Sequence, residues 1–292
     1  MPEPNPDLAT PEPPAPHLLA AAHPAEPPAA PLLAAISEPA NPAGWIAGLR
    51  DEPAVLGLVL SGSQAHAGMP TPHSDHDLHV ITADEAPAWL TALDGFRSPH
   101  LDLVVMPLAA FRRRALPGDE YGWARYAYVH ARLLFDRLGG TIGELLDRKR
   151  TLSPAEARRH ADGHLDAYLN QTYRSLKSHR DGRPELAHLD AAESLPFLLE
   201  SLFALHRRVR PYNKYLEWEL SRHPLGAPTW QAGTLLPRLR RILATGEPAA
   251  QRALFADVER LARARGHGEI LDSWGTDLLL LRPPSRPDRE SP

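Results

Sequence analysis

The sequence predicts an α+β protein in which a small mixed β-sheet domain is followed by an all-helical domain. Two observations favour this fold class. Between residues 54 and 107, apolar runs of strand length alternate with polar or proline-containing connections. After about residue 150, apolar residues recur at the spacing of helices that bury one face. We therefore predict a sheet domain over 43–150 and a helical domain over 151–282.

The two ends of the chain differ from these domains in composition. Residues 1–42 hold 13 of the 32 prolines, and alanine fills most of the remainder. Proline removes backbone hydrogen-bond donors and blocks helices, so a segment of this kind is typical of disorder. We predict a disordered Pro/Ala-rich tail over 1–42 and a second disordered tail over 283–292.

Four strands are expected in the sheet domain. Each is a short run rich in apolar and β-branched residues, and the first and third are limited by proline or glycine. The predicted strands are 54–61 (AVLGLVLS), 76–82 (HDLHVIT), 101–107 (LDLVVMP) and 131–136 (ARLLFD). Helices are predicted over 83–95, with Gly95 as the stop, and over 108–116.

The helical domain begins with a clear start signal. Ser153 is expected to be the N-cap, Pro154 takes the first helical position, and Glu156 stands three residues after the cap. This arrangement predicts a capping box and a helix that runs to about Asp181-Gly182. Further helices are predicted over 185–209, 236–246 and 249–266.

Composition excludes several functional classes. The sequence has no cysteine, which excludes disulfides, thiol catalysis and Cys-ligated zinc, and the predicted location is the cytoplasm. No apolar run approaches about 18 residues, so we expect no membrane-spanning helix. No Lys or Arg precedes Arg50, so we expect no secretory signal. The net charge is −7 over residues 1–150 and +3 over 151–292, which gives no support for a nucleic-acid partner.

Carboxylates cluster at the ends of two predicted strands. Alternation along 76–82 would place Asp75, Asp77 and His79 on one face of the sheet. Two uncompensated carboxylates side by side are costly to desolvate, whereas a divalent cation removes that penalty. Asp102 opens the next apolar strand and would add a third carboxylate. We predict that Asp75, Asp77 and Asp102 bind Mg²⁺, with room for two ions.

A Gly-Ser pair follows the first strand and complements these carboxylates. Gly62 and Ser63 would leave backbone N–H groups and a hydroxyl free at a turn, which is the kind of nest that holds phosphate oxygens.

The stretch LSGSQAHAG…SDHDLHVI, with the later Asp102, resembles the signature of the nucleotidyltransferase superfamily typified by DNA polymerase β. The most similar subgroup is the bacterial one that includes the kanamycin and streptomycin nucleotidyltransferases, in which a helical domain follows the catalytic domain. The resemblance implies that Gly62 and Ser63 bind a nucleoside triphosphate and that the three aspartates hold Mg²⁺. Two positions differ from the family pattern: His66 stands where many relatives have Arg, and His76 replaces an apolar residue.

The resemblance implies transfer of a nucleoside monophosphate, with ATP as the expected donor, to a hydroxyl of an acceptor, with release of pyrophosphate. It places the helical domain across the cleft, where Lys214 would contact the triphosphate; the alternative is a surface pair of Lys214 with Glu217. The sequence identifies neither the acceptor nor the oligomeric state. An aminoglycoside acceptor would need an acidic pocket, for which Glu193, Glu217 and Glu219 are available.

Three other interpretations compete with this one. A regulatory nucleotide-binding or toxin–antitoxin-type protein would use its helical domain to bind a partner, although such a protein would not need three aspartates. Arg174 and His179 resemble the R-x4–6-H motif of helical ribonucleases, but this spacing also fits a solvated helix end. The string His73, His76 and His79 suggests zinc, yet alternation on a strand prevents all three from converging.

Overall fold

A computed structural model describes residues 42–284. The tail predicted over 1–42 therefore lies outside the described residues, except for Pro42, which begins the first helix. Residues 285–292 of the second predicted tail lie outside the described residues as well. The first half of the described chain holds four strands and four helices, in the following order. They are α1 (Pro42–Asp51), β1 (Val55–Ser61), β2 (His76–Thr82), α2 (Ala88–Thr91), β3 (Leu101–Pro107), α3 (Leu108–Arg113), β4 (Arg132–Asp136) and α4 (Thr141–Arg150).

The four strands form one mixed sheet in the order β3-β2-β1-β4. Strand β1 is antiparallel to both of its neighbours, β2 and β4, whereas β2 and β3 are parallel. All four predicted strands are present, and the predicted α+β class with a small mixed sheet is confirmed.

Apolar side chains cover both faces of this sheet, because successive residues of a strand point to opposite faces. One cluster packs Leu58 and Leu78 against Trp45 of α1. The other packs Val59 and Ile81 against helices α3 and α4. The sheet is therefore buried on both sides, and the ends of its strands are left to carry polar groups.

The helix predicted over 83–95 is shorter than expected. Only Ala88–Thr91 is helical, and the chain turns at Gly95, where φ is +77°. The N–H of Gly95 then donates to the carbonyl of Leu103 at 3.0 Å, and the N–H of Leu103 donates to Phe96 at 2.9 Å. Backbone pairing along the outer edge of β3 thus ends the helix early. Helix α3 likewise stops at Arg113, shortly before Ala115, where φ is +62°.

The second half of the described chain is helical. Its helices are α5 (Pro154–Arg180), α6 (Pro184–Leu205), α7 (Leu216–Arg222), α8 (Ala232–Thr245), α9 (Pro248–Ala264), α10 (Gly268–Asp272) and α11 (Leu278–Leu281). The predicted capping box is present at Ser153 and Glu156, and α5 ends directly before Asp181. None of the helices in the described part of the chain combines the length and apolar character that a bilayer crossing requires.

Helices α5 and α6 form a long antiparallel pair that carries the core of the helical half. Leu165, Leu169 and Leu176 of α5 are buried together with Leu198 and Leu202 of α6. Their spacing of four or seven residues puts them on one face of each helix. The remaining helices pack onto this pair and enclose the cluster.

A buried arginine connects the two halves near the predicted boundary. Arg125 is only 7% exposed, and its Nη1 pairs with Oε1 of Glu156 at the start of α5, at 2.9 Å. Its remaining nitrogens donate to the carbonyls of Arg148, Lys149 and Thr151. The start of α5 is therefore held against the end of α4 through charge-assisted hydrogen bonds.

Candidate active site

The three predicted aspartates lie together at one edge of the sheet. Asp77 and Asp102 are directly opposite each other in the parallel pair of β2 and β3, and Asp75 precedes β2. One carboxylate oxygen from each side chain lies within 4.8 Å of the other two. The register of the parallel strands therefore explains why residues 25 positions apart in sequence meet at one point.

Gly62 lies immediately against this cluster. It follows Ser61, the residue opposite Asp77 in β1, and it adopts φ +64°, a conformation that favours glycine. A Cβ atom at this position would lie 1.7 Å from Oδ2 of Asp77. Ser63 starts a single 3-10 turn, Ser63–Ala65, that leads away from the carboxylates. The close approach of backbone and carboxylate thus requires glycine for two separate reasons.

Burial and neighbouring negative charge raise the pKa of two of these carboxyl groups. Burial of Asp77, together with the neighbouring charges of Asp75 and Asp102, raises the pKa of Asp77 to about 6. Burial also raises the pKa of Asp102, against the opposing influence of Arg97. Three carboxyl groups this close together form a site whose charge favours a cation.

Three cationic side chains border the same cavity, which has a volume of about 370 Å³. Lys214 is an exposed residue of the helical half. Its positive charge acts to lower the pKa of Asp77 and so favours the ionised carboxylate. Arg97 pairs with Asp102 at 3.4 Å and is largely exposed. Arg114 lies over the ring of Tyr121, with 3.3 Å between the guanidinium carbon and the ring centroid. Carboxylates and cations thus share the cavity, which suits a ligand that carries both phosphates and a metal ion.

Sequence reasoning missed Arg114. Within the described part of the chain, its Nε is buried and has no hydrogen-bond partner. The run FRRRAL after β3 was a signal for a cationic turn, but three adjacent arginines gave no reason to prefer one of them. Only the end of α3 at Arg113 turns the following side chain into the cavity.

The three histidines near the aspartates do not form a zinc site. The ring of His76 packs against Trp45 on one face of the sheet, whereas His79 is buried on the other. His79 bonds Oγ of Ser61 through Nε2 at 3.0 Å, and its burial lowers its pKa to about 4. His73 is exposed in the loop. The histidines therefore diverge, as alternation along the strand predicts.

The loop after Gly62 is fastened to the helical half by aromatic residues. His66 is buried, its Nδ1 donates to the carbonyl of Gly62 at 2.7 Å, and its ring stacks on Tyr215. The indole N–H of Trp218 donates to the carbonyl of Ala67 at 2.9 Å. Tyr215 is 1% exposed and packs in the interior, whereas Trp218 is partly exposed.

The acidic residues considered for an acceptor pocket do not share one environment. Glu219 is 2% exposed and accepts hydrogen bonds from Tyr126 at 2.8 Å and His130 at 2.7 Å. Glu217 is exposed on α7, and Glu193 accepts from a glutamine of α5. Glu219 is therefore not available for an acceptor pocket, because its carboxylate is already bound by neighbouring side chains.

Arg174 and His179 are also separated in role. Nε2 of His179 donates to the carbonyl of Gly246 at 2.7 Å, at the end of α8, and Arg174 is exposed. His179 thus satisfies the end of α8 instead of lying at a solvated helix end.

Comparisons with known proteins add little to this site. No family model matches the chain, and no curated protein sequence matches it. A solved structure of a nucleotidyltransferase-like protein from Exiguobacterium sibiricum 255-15 is similar over 83% of this chain and 77% of that chain, with 15% identity and a TM-score of 0.40. The similarity does not extend to the kanamycin-type subgroup, which stays a prediction. A functional assignment therefore depends on the site itself.

Proposed function

We propose that the protein is a Mg²⁺-dependent nucleotidyltransferase that moves a nucleoside monophosphate to a hydroxyl group of an acceptor and releases pyrophosphate. ATP is the expected donor. The observation that carries the proposal is the convergence of Asp75, Asp77 and Asp102 within 4.8 Å, directly against the glycine turn at Gly62.

The residues present fit the magnesium ions that this chemistry uses. Three carboxylates supply the hard oxygen ligands that Mg²⁺ prefers. Burial and the neighbouring carboxylates raise the pKa of Asp77, so its negative charge is unfavourable without a cation, which supports the proposal. Magnesium ions bound by Asp75, Asp77 and Asp102 would neutralise charge on the transferring phosphoryl group.

The chain's own groups have separate tasks in the proposed reaction. Backbone N–H groups at Gly62 and Ser63 position the triphosphate, and Lys214 and Arg114, which line the same cavity, offset its charge. The acceptor oxygen forms a bond to the α-phosphorus while the bond from that phosphorus to the β-bridging oxygen breaks. The hydroxyl proton passes to Asp102, and pyrophosphate leaves. Catalysis then comes from position and electrostatics, with no covalent enzyme intermediate.

Transfer of label from ATP tests the proposal. The protein is incubated with Mg²⁺, ATP labelled at the α-phosphate, and a panel of hydroxyl-bearing acceptors that includes aminoglycosides, RNA and proteins. We expect labelled acceptor and equimolar pyrophosphate, with a loss of about a hundredfold or more in Asp75→Asn and Asp77→Asn. Asp84→Asn, an exposed aspartate just beyond β2, is the matched control and should retain turnover. Full turnover in both site variants would refute the mechanism, and nucleotide binding without any turnover would favour the regulatory alternative.

A further inference from the structure

A second cluster of metal-ligating side chains lies in the helical half. His160 and His164 occupy positions four apart on α5, which places them on one face of the helix. Glu200 of α6 faces them across the helix pair. One ligand atom from each of the three residues lies within 4.8 Å of the other two.

The hydrogen bonds of His164 select the nitrogen that can bind a metal ion. Its Nδ1 lies 2.9 Å from the carbonyl of His160, and since a carbonyl only accepts, Nδ1 carries the proton. The lone pair is then on Nε2. A histidine whose second nitrogen donates to a backbone carbonyl has the arrangement common among metal-binding histidines.

Glu200 is likewise held as a ligand would be. Its Oε2 accepts from Nε2 of His160 at 2.9 Å, and its Oε1 faces Nη1 of Arg210 at 3.3 Å. A metal ion would replace the proton between His160 and Oε2, while Arg210 would remain as a partner of Oε1.

The cluster opens onto a cavity of about 510 Å³ that shares Trp123 and Tyr126 with the carboxylate cavity. Gly163, between the two histidines, also lines it. Glycine inside a helix costs about 1 kcal/mol relative to alanine. A Cβ at this position would meet no atom of the described residues within 4 Å, so packing does not require the glycine. Its missing side chain keeps the space beside the histidines open.

We propose that His160, His164 and Glu200 form a binding site for Zn²⁺ or a similar transition-metal ion, with the remaining coordination position open to the cavity. Two imidazoles and one carboxylate match the ligand set of open zinc sites, whereas Mg²⁺ prefers oxygen ligands alone. The site is separate from the aspartate cluster, and the proposal does not depend on nucleotidyl transfer.

The alternative is a hydrogen-bonded network, in which His160 and Arg210 do no more than neutralise Glu200 and join α5 to α6. The two interpretations differ in one measurable respect. A purely structural network predicts that Zn²⁺ binds no more tightly here than at scattered surface histidines, and that removal of His164 leaves zinc affinity unchanged.

Zinc titration of the full chain distinguishes them. Zn²⁺ is added against a competing chelating dye, in excess Mg²⁺ to occupy the aspartates. We expect one tight equivalent, and affinity weakened about tenfold or more in both His164→Ala and Glu200→Gln. His188→Ala, on the same helix as Glu200 but bonded to the carbonyl of Leu243, is the control and should match the parent protein. Co²⁺ should give the visible absorption of a tetrahedral site in the parent and the control only.

Thermal unfolding shows whether a variant that fails to bind is still folded. Zinc should raise the melting temperature of the parent protein and of His188→Ala, because it binds only the folded state. Glu200→Gln preserves shape, so it should melt cooperatively without zinc and show no increase when zinc is added. Absence of a tight equivalent in the parent protein, or unchanged zinc affinity in both site variants, would overturn the proposal.

Discussion

The imidazole of His66 lies flat against the ring of Tyr215, with 4.1 Å between the ring centroids and 4° between the planes. His66 belongs to the loop that follows Gly62, and Tyr215 directly precedes helix α7. The same imidazole donates to the carbonyl of Gly62. One side chain thus connects the turn beside the aspartates to the helical half, which supplies Lys214 to the lining of the same cavity.

Replacement of His66 should loosen this connection. We expect His66→Ala to lose about 1–3 kcal/mol of stability, the combined worth of a ring contact and a hydrogen bond. It should also raise the KM for nucleotide, because the turn at Gly62 is no longer held. Denaturant unfolding and steady-state kinetics measure the two effects. His73→Ala, exposed in the same loop, should change neither, and equal behaviour of the two variants would contradict the role given to His66.

Gly62→Ala tests the close approach of backbone and carboxylate. The added Cβ would have to displace Asp77, from which it would lie 1.7 Å, in a backbone conformation of φ +64°. We expect a loss of about 2–5 kcal/mol from backbone strain and overpacking, together with loss of Mg²⁺ binding. Gly68→Ala is a matched control, since Gly68 also has positive φ, +81°, but has open space around it. Gly68→Ala should therefore lose only the stability that backbone strain costs. Equal losses of stability in the two variants would rule out the clash with Asp77.

Local sequence patterns were sufficient to predict much of the fold and the position of the aspartates. Strand-length apolar runs predicted β1 to β4, and Ser153 with Glu156 predicted the start of α5 correctly. Asp77 and Asp102 were selected because a carboxylate at the head of an apolar strand is costly without a purpose. Each of these signals lies within a few residues of the feature it predicts.

Features that depend on tertiary packing were not predicted. Glu219 is bound by Tyr126, 93 positions away, and by His130, 89 positions away, so no local pattern distinguishes it from the exposed Glu217. The length of the helix predicted over 83–95 was overestimated because the backbone near Gly95 pairs with the edge of β3 instead of continuing the helix. That pairing cannot be read from the sequence of residues 83–95 alone. Arg114 enters the cavity only because α3 ends one residue earlier.

Asp77 should make the metal-free protein less stable at neutral pH. The pKa of its carboxyl is about 6 in the folded protein and 3.8 in its ordinary state, so the folded protein binds more protons between these values. Stability therefore falls as pH rises from about 4 to 6, and the loss is complete above pH 6. In EDTA, Asp77→Asn should melt at a higher temperature than the parent at pH 7.5, and the difference should vanish near pH 4. A constant difference across this range, or the same increase in Asp84→Asn, would contradict the assignment.

Glu219→Gln should cost stability. The change leaves Arg208 without the carboxylate it is bound to, in a site where Glu219 itself is 2% exposed. We expect a loss of about 2–4 kcal/mol in urea unfolding at pH 7. Hydrogen bonds from His130 and Tyr126 outweigh burial and lower the pKa of Glu219 to about 2, so its stabilising effect is present above pH 4.5 and is lost as pH falls towards 2. The loss caused by the variant should shrink over that interval. Glu217→Gln, exposed on the same helix, should leave the free energy of unfolding unchanged. A comparable loss of stability in Glu217→Gln would contradict the stabilising role given to Glu219.

Arg114 should contribute to nucleotide binding rather than to folding. Its guanidinium lies over Tyr121 at the edge of the aspartate cavity, and its Nε has no hydrogen-bond partner among the described residues. A triphosphate would supply that partner, and a charge-assisted hydrogen bond of this kind contributes about 1.5–3 kcal/mol. We therefore expect Arg114→Met to raise the dissociation constant for ATP by about tenfold to a hundredfold, measured by calorimetry, and this effect should diminish at high salt. Arg113→Met, exposed at the end of α3 and outside this cavity, controls for net charge. An equal loss of ATP affinity in the two variants would mean that Arg114 acts only through the net positive charge of the surface and not through a direct contact with the nucleotide.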